Sequence, residues 1–225
     1  MLTLPALMIM GIPPEIANAT NRVGVLMQSL AGMGEFYRHR RLDTRAMVPV
    51  LIPVLIGSLV GALTASFLPA WLLKPALLTT MIVMALVLLV KPDTMIPDMG
   101  SEAVTLKNKP SAIAGLFFAG IYGGFVQAGV GFILIAALAG GLGYDLIRSN
   151  ALKVVCTAAL SVLALMVFVS RNQVLWVPGI VLAIGSMIGA VLSVRFVLNI
   201  SQNTLKWILF VMVTLTCLAA WFGEN

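Results

Sequence analysis

The chain has 225 residues, of which 60% are hydrophobic and only 10% are charged. This amount of polar material is too small to cover a water-soluble globule, so the composition excludes an ordinary soluble domain and predicts an integral membrane protein. The formal net charge is +6, but the cations stand mostly at the ends of apolar segments, where membrane topology and lipid headgroups account for them. Nucleic-acid binding is therefore not expected.

Seven apolar stretches are long enough to cross a bilayer as helices, which takes about 20 residues. They cover residues 16–37, 46–68, 72–90, 111–142, 145–170, 174–197 and 204–222, and a shorter apolar fragment covers residues 2–12. The pattern predicts an all-α fold, a polytopic transmembrane helix bundle. We expect a multi-pass protein of the cell inner membrane or plasma membrane, with the lipid bilayer as its surroundings.

A short glycine tract occurs twice, as Gly57-Ser-Leu-Val-Gly61-Ala62 and as Gly185-Ser-Met-Ile-Gly189-Ala190. An Asn-Ala pair opens an apolar helix upstream of each copy, at Asn18 and at Asn150. The Asn-Ala pairs are 150 − 18 = 132 positions apart and the tracts 185 − 57 = 128, so the second copy is about one helical turn shorter. Because four segments per copy is an even number, we expect two parallel four-helix repeats, related by an axis along the bilayer normal. The glycines of both tracts are expected to pack helices closely between the repeats.

The repeats predict three regions: a first transmembrane repeat at 1–90, a polar cytoplasmic linker at 91–110 and a second transmembrane repeat at 111–225. Prolines, a glycine and mixed charges in the linker stop any helix. If the linker is cytoplasmic, the basic loop at 38–45 and Arg171 lie on the same side of the membrane. Together these three regions hold eight of the fourteen cations. With an offset of 132, Met1 matches Ile133, so we expect the first repeat to lack the front of its first helix, through a late start codon or a truncated product.

The fifth apolar stretch, residues 111–142, is too long for one straight span. As a single helix it would extend about 48 Å, whereas the hydrocarbon core is about 30 Å thick. It should tilt strongly or break, and the natural place for a break is the glycine-rich run Gly123–Gly131. Such a break would expose backbone groups to a cavity. The alternative, given equal weight, is that the glycines let neighbouring helices pack closely.

Two cations, Arg22 and Lys153, stand at similar depths inside apolar helices. A charge inside the membrane is costly and normally faces a cavity or a partner, which favours a functional role over snorkelling to the headgroups. Helix N-termini and neutral donors near these cations suit a small oxyanion. The predicted substrate-binding residues are Asn18, Asn21, Arg22, Gln127, Ser149, Asn150 and Lys153, although Gln127 could equally join two helices.

Two carboxylates, Glu15 and Asp145, precede the helices that carry these cations. They are candidates for proton coupling, and capping of the helix starts is the favoured alternative. The two cysteines, Cys156 and Cys217, lack metal or redox spacing and are interpreted as packing residues. We therefore expect no metal and no cofactor.

These residues resemble the sulfite exporter TauE/SafE family, also described as the TSUP or DUF81 membrane transporters. The resemblance covers essentially the whole chain and is carried by Gly11–Arg22, Gly57–Ala62, Gln127–Gly131 and Gly143–Lys153. It implies about eight helices in two repeats and transport of sulfite, sulfonates or other small anions. It also implies that residues 18–22 and 149–153 are the family's motif at the start of the second helix of each repeat.

A secondary transporter that exports small anions, such as sulfite or organosulfonates, accounts for the duplication, the paired cations and the broken fifth helix together. No nucleotide-binding motif would supply ATP. One alternative is a non-transporting membrane subunit or scaffold. An intramembrane enzyme is a weaker alternative, because the single histidine lies in a loop and no catalytic pair is evident. We expect a small anionic substrate, no enzymatic activity and no nucleic-acid partner, and a homo-oligomer is left open.

Overall fold

The computed structural model describes residues 2–38, 44–90, 110–197 and 202–222, and within these ranges the chain is helical without any β-strand. The helices are α1 (Thr3–Ile9), α2 (Pro14–Arg38), α3 (Thr44–Phe67), α4 (Ala70–Val90), α5 (Pro110–Phe125), α6 (Val130–Ile135), α7 (Leu146–Ser170), α8 (Trp176–Val197) and α9 (Gln202–Phe222). A π-helical segment, Ala136–Gly141, continues α6. The prediction of an all-α fold is confirmed. The predicted linker at 91–110 lies outside the described residues except for Pro110, which begins α5.

Three of the described helices are long and apolar enough to cross a membrane. These are Ala46–Phe67, Ala70–Val87 and Ile147–Ser170. Shorter apolar helices cover Pro110–Phe125, Val130–Gly141, Trp176–Gly189 and Phe210–Trp221. The three helices long enough to span a membrane are fewer than the seven predicted stretches. One reason is that the break after Phe125 divides the fifth stretch in two. Large apolar side chains such as Trp71 and Val177 point outward, each 76% exposed, which fits a lipid environment.

Helices α2 and α7 lie side by side at the centre of the bundle. Helix α2 also packs against α8, and α7 also packs against α3. Helix α5 lies along α3, α4 lies along α9, and the short α1 contacts both α2 and α9. This arrangement places Asn18 and Arg22 of α2 in the interior, next to the end of α5.

The contact between α3 and α5 depends on glycines from both helices. A Cβ atom on Gly57 or Gly61 would clash with main-chain atoms of α5, and one on Gly120 or Gly124 would clash with main-chain atoms of α3. Two small-residue faces thus let the two backbones touch. The predicted packing role of the first glycine tract is confirmed, and within the predicted run Gly124 packs as the close-packing alternative requires.

The second glycine tract behaves differently. No heavy atom of the described residues lies within 4 Å of the position that a Cβ atom would take on Gly185 or Gly189. The prediction that this tract packs helices closely is therefore wrong for the described residues. The physical reason is that α2, which packs against α8, approaches it near Gly179 and Leu182 and leaves the tract uncovered among the described residues.

The fifth apolar stretch is interrupted between α5 and α6, within the predicted run. Gln127 and Gly129 adopt positive φ angles of 65° and 81°, which turn the chain out of the helix. The Tyr122 hydroxyl donates a hydrogen bond to the carbonyl oxygen of Ala128 over 2.6 Å and ties the turn to the end of α5. The prediction of a break within Gly123–Gly131 is confirmed. We call residues 126–129 the helix break.

Candidate functional site

Arg22 reaches from α2 to the end of α5. Its Nη1 donates to the carbonyl oxygen of Gly123, and its Nη2 donates to those of Gly124 at 2.6 Å and Phe125 at 3.2 Å. Since α5 ends at Phe125, these carbonyls have no donor inside their own helix. Arg22 is 0% exposed, so the snorkelling alternative is wrong for this side chain. It caps the C-terminus of a neighbouring helix.

Among the described residues, the positive charge of Arg22 is balanced by dipoles and an aromatic ring. The guanidinium carbon lies 5.5 Å from the centroid of the Phe168 ring, and the three carbonyls belong to the negative end of α5. Within the described part of the chain no carboxylate pairs with Arg22. Its Nε is buried and has no hydrogen-bond partner. The site therefore holds a cation and one unused donor.

Asn18 lies one turn before Arg22 on the same face of α2. Its Nδ2 donates to the carbonyl oxygen of Phe125 over 2.8 Å, whereas its Oδ1 is buried and has no partner among the described residues. Asn21 serves a different contact, because its Oδ1 accepts a hydrogen bond of 2.6 Å from the Thr3 hydroxyl of α1. Of the predicted α2 residues, Asn18 and Arg22 meet at the end of α5, just before the helix break, and Asn21 joins α1 to α2.

Gln127 stands in the helix break and bridges it to α7. Its Nε2 donates to the Ser161 hydroxyl oxygen over 2.5 Å, and that hydroxyl donates to the carbonyl oxygen of Thr157 over 2.6 Å. The Oε1 of Gln127 is buried and has no partner in the part of the chain that the structure describes. The alternative that this side chain joins two helices is thus confirmed, with one acceptor left over.

Lys153 lies on the face of α7 that carries this chain of hydrogen bonds. Its Nζ donates to the Asn150 Oδ1 over 2.8 Å, and the Thr157 hydroxyl donates to its main-chain oxygen. The Lys153 stem passes close to the start of α6, since a Cβ atom on Gly131 would lie 3.2 Å from the Lys153 Cδ. Lys153 is half-buried, in contrast to Arg22.

Sequence reasoning missed Thr157 and Ser161. Their spacing gives the signal that could have found them, because Lys153, Thr157 and Ser161 follow one another at intervals of four and so share one helix face. Ser149, the remaining predicted α7 residue, is buried and donates to the carbonyl oxygen of Tyr144 over 3.2 Å. It secures the turn before α7.

The two carboxylates occupy unlike environments. Asp145 is exposed and is the N-cap of α7, where its side chain accepts from the backbone N–H of Arg148 over 2.9 Å. Glu15 lies in the first turn of α2, and its Oε2 is buried without a partner within the described ranges. The capping alternative is therefore observed for Asp145. Among the described residues no group of three or more His, Cys, Asp or Glu side chains could hold a metal ion.

Comparison with known proteins shows the family of this chain. A family model described as sulfite exporter TauE/SafE matches residues 1–220. The chain belongs to the sulfite exporter TauE/SafE family. The resemblance inferred from the motifs is thus confirmed, and the family is one of membrane transporters.

Relatives of this TauE/SafE family member carry names of the same kind. A "Probable membrane transporter protein" of Haemophilus influenzae is 28% identical over 216 residues, which is 94% of this chain and 82% of the relative. The "Probable membrane transporter protein YfcA" of Escherichia coli K12 is 26% identical over 213 residues, covering 92% of this chain and 76% of the relative. The "Probable membrane transporter protein ORF9" of Sinorhizobium sp. is 24% identical over 212 residues, covering 94% and 80%. No solved structure gives a significant match.

Proposed function

We propose that this TauE/SafE family member is a secondary transporter that exports small anions such as sulfite or organosulfonates, and that Arg22 marks its binding site. The observation that carries the proposal is the completely buried Arg22 guanidinium, which has no carboxylate partner among the described residues. A charge held in this way inside a membrane bundle costs several kcal/mol unless a counter-charge compensates it. A bound anion would supply that counter-charge.

The substrate site proposed here lies around the helix break. Asn18 and Arg22 reach it from α2, Gln127 belongs to it, and Lys153 lies beside the start of α6. We assign Asn21, Ser149 and Asn150 to its outer part, because each holds a neighbouring side chain or turn in position. The Arg22 Nε and the Lys153 ammonium group offer N–H donors to an oxyanion.

The two-repeat organisation belongs to the same proposal, with repeats at 1–90 and 111–225 joined by the linker at 91–110. Gly11 and Gly143, which are 143 − 11 = 132 positions apart, both adopt positive φ angles, 80° and 70°, just before α2 and α7. Helix α2 packs against α8 and α7 packs against α3, a pair of contacts that exchange under such a repeat. These features support parallel repeats within a multi-pass protein of the cell inner membrane or plasma membrane.

The proposed mechanism is alternating access by rocking of one repeat against the other. Asn18, Arg22 and Ser149 are each 0% exposed, so an anion reaches them only when α2 and α7 move apart. Proton coupling through Glu15 stays a prediction, and its buried, unpartnered Oε2 supports it. Asp145 is the weaker candidate because its carboxylate caps α7.

Counterflow of labelled sulfite in proteoliposomes tests the proposal, with sulfonates and sulfate as competitors. We expect saturable uptake that competitors abolish, and we expect the double variant Arg22→Gln, Lys153→Gln to lose it. Arg38→Gln is the matched control, since Arg38 is an exposed cation at the far end of α2. Unchanged transport by the double variant would refute the assignment of the site. Co-purification of a stoichiometric partner, without any uptake, would favour a scaffold instead.

A further inference from the structure

The turn between α7 and α8, residues 171–175, docks onto two helices of the first predicted repeat. The backbone N–H of Leu175 donates to the Thr20 hydroxyl oxygen of α2 over 3.0 Å. The Gln173 Nε2 donates to the carbonyl oxygen of Ser66, near the end of α3, over 3.1 Å. Thr20 is 0% exposed and Ser66 is 3% exposed, so the turn reaches buried parts of both helices. We call residues 171–175 the α7–α8 turn.

The α7–α8 turn has a fixed shape of its own. The backbone N–H of Gln173 donates to the carbonyl oxygen of Phe168 over 3.0 Å. The backbone N–H of Asn172 donates to that of Val169 over 2.9 Å, and Asn172 adopts a positive φ angle of 55°. This pair of bonds around a left-handed residue is the Schellman ending of an α-helix. Because both bonds lie within α7 and the turn, the turn keeps its shape when its contacts with α2 and α3 break.

Phe168 connects the α7–α8 turn to Arg22. The Phe168 carbonyl oxygen anchors the turn, and the centroid of the Phe168 ring lies 5.5 Å from the Arg22 guanidinium carbon. Phe168 is 1% exposed and Arg22 is 0% exposed. Phe168 stands three residues before the turn, which is about 4.5 Å along the axis of α7. A displacement of the turn away from α2 therefore also moves the ring that covers Arg22.

The docking of the turn leaves one polar atom unsatisfied. The Gln173 Oε1 is buried and has no partner among the described residues. The carbonyl oxygen of Ser66 can only accept, so a flipped Gln173 amide would lose the existing bond. The dry Oε1 opposes docking, whereas the bonds to Thr20 and Ser66 favour it. Opposing contributions of similar size suit an element that opens and closes, because both of its states are then populated.

We propose that the α7–α8 turn is a latch that closes access to Arg22, with Thr20 and Gln173 as its positioning residues. This inference rests on the proposed function, in which the site at Arg22 must open to admit an anion. In the structure the latch is shut, because the turn docks on α2 and α3 and Phe168 covers Arg22. In the open state the turn lifts as a unit, Phe168 moves with it, and both the Gln173 Oε1 and the Arg22 guanidinium meet water.

Modification of arginine by phenylglyoxal tests the latch on the purified chain in detergent. Peptide mass spectrometry follows Arg22, which the shut latch protects, and Arg38, which is exposed and corrects for the reagent. When opening is faster than modification, the rate follows the population of the open state. We expect Thr20→Val to speed modification of Arg22 about fivefold, because it removes one hydrogen bond that holds the turn. Gln173→Glu sets a carboxylate against the Ser66 carbonyl and should speed it about tenfold or more.

Two controls separate opening of the latch from general destabilisation. Thr64→Val is the matched variant, because the Thr64 hydroxyl is exposed and donates to the carbonyl oxygen of Val60 within α3. It should leave the modification of Arg22 unchanged. Cys217 is buried in α9 and reports on unfolding. N-ethylmaleimide should label Cys217 equally slowly in the wild type and in every variant. If one latch variant does not fold, the other decides.

The outcomes separate the latch from the proposed function. Unchanged modification of Arg22 in the latch variants would overturn the latch. An equal rise in the labelling of Cys217 would also overturn it, because general unfolding would then explain the faster modification. Faster modification of Arg22 alone would support it. No anion is added, so the result is independent of the counterflow of labelled sulfite. A latch without counterflow would keep the access route and remove the transport proposal, and counterflow without a latch would do the reverse.

Discussion

Asn18 and Arg22, one turn apart on α2, donate hydrogen bonds to the same main-chain oxygen, that of Phe125, at 2.8 and 3.2 Å. This carbonyl belongs to the last residue of α5. Two side chains of one helix thus replace the backbone donors that a broken helix loses. The polar groups that hold the break together are therefore the same groups that we assign to the anion site, which links stability to function there.

Arg22→Leu should destabilise the folded chain. The change leaves the carbonyls of Gly123, Gly124 and Phe125 without the donors that Arg22 provides, and each buried unpaired carbonyl costs about 1–3 kcal/mol. We expect a clear drop in the thermal unfolding temperature in detergent. Arg38→Leu, at an exposed position, should unfold like the wild type. Equal unfolding temperatures for the two variants would contradict the capping role of Arg22.

Lys153→Met should weaken anion binding without destabilising the fold. Lys153 is half-buried and its ammonium group contacts a side chain, whereas Arg22 holds backbone groups. We expect anion affinity to fall by about tenfold or more, because a cation near the site is lost, while the free energy of unfolding changes by about 1 kcal/mol or less. Titration of the anion and thermal unfolding on the same preparation check both halves. A loss of stability as large as that of Arg22→Leu would count against this division of roles.

Gly57→Ala and Gly185→Ala form a matched pair in the two copies of the glycine tract. A methyl group at residue 57 would clash with the backbone of α5, whereas one at residue 185 meets no described atom within 4 Å. Gly57→Ala should destabilise by about 1–3 kcal/mol through overpacking. Gly185→Ala should be neutral or stabilise slightly, since alanine favours helix by about 1 kcal/mol. Thermal unfolding of both variants decides this, and the opposite order would contradict the packing of α3 against α5.

Asp145→Ala and Asp145→Asn distinguish a cap from a proton carrier. The Asp145 carboxylate accepts from the Arg148 N–H at the start of α7, and asparagine can do the same without titrating. We expect Asp145→Ala to cost about 1 kcal/mol and Asp145→Asn to preserve both stability and the pH dependence of transport. Counterflow at several pH values together with unfolding provides the comparison. A changed pH profile for Asp145→Asn alone would return Asp145 to the candidates for proton coupling.

The sequence by itself determined the helices, the family and the place of the break. Apolar length sets where a helix can exist in a membrane, and it predicted α2 to α9 nearly to their ends. Glycines weaken helices locally, which is why the interruption after Phe125 could be read from Gly123–Gly131. The two cations within apolar helices, Arg22 and Lys153, could also be identified, because a charge inside an apolar segment is rare whatever its surroundings.

Only the tertiary structure decided which groups those residues meet. The partners of Arg22 are more than 100 residues away along the chain, and no local pattern encodes a contact of that range. Packing also gave identical glycine spacings different surroundings, since Gly57 meets α5 and Gly185 meets no described atom within 4 Å. Local chemistry fixes which helices form, whereas the donors and acceptors left over at the break depend on how those helices pack against one another.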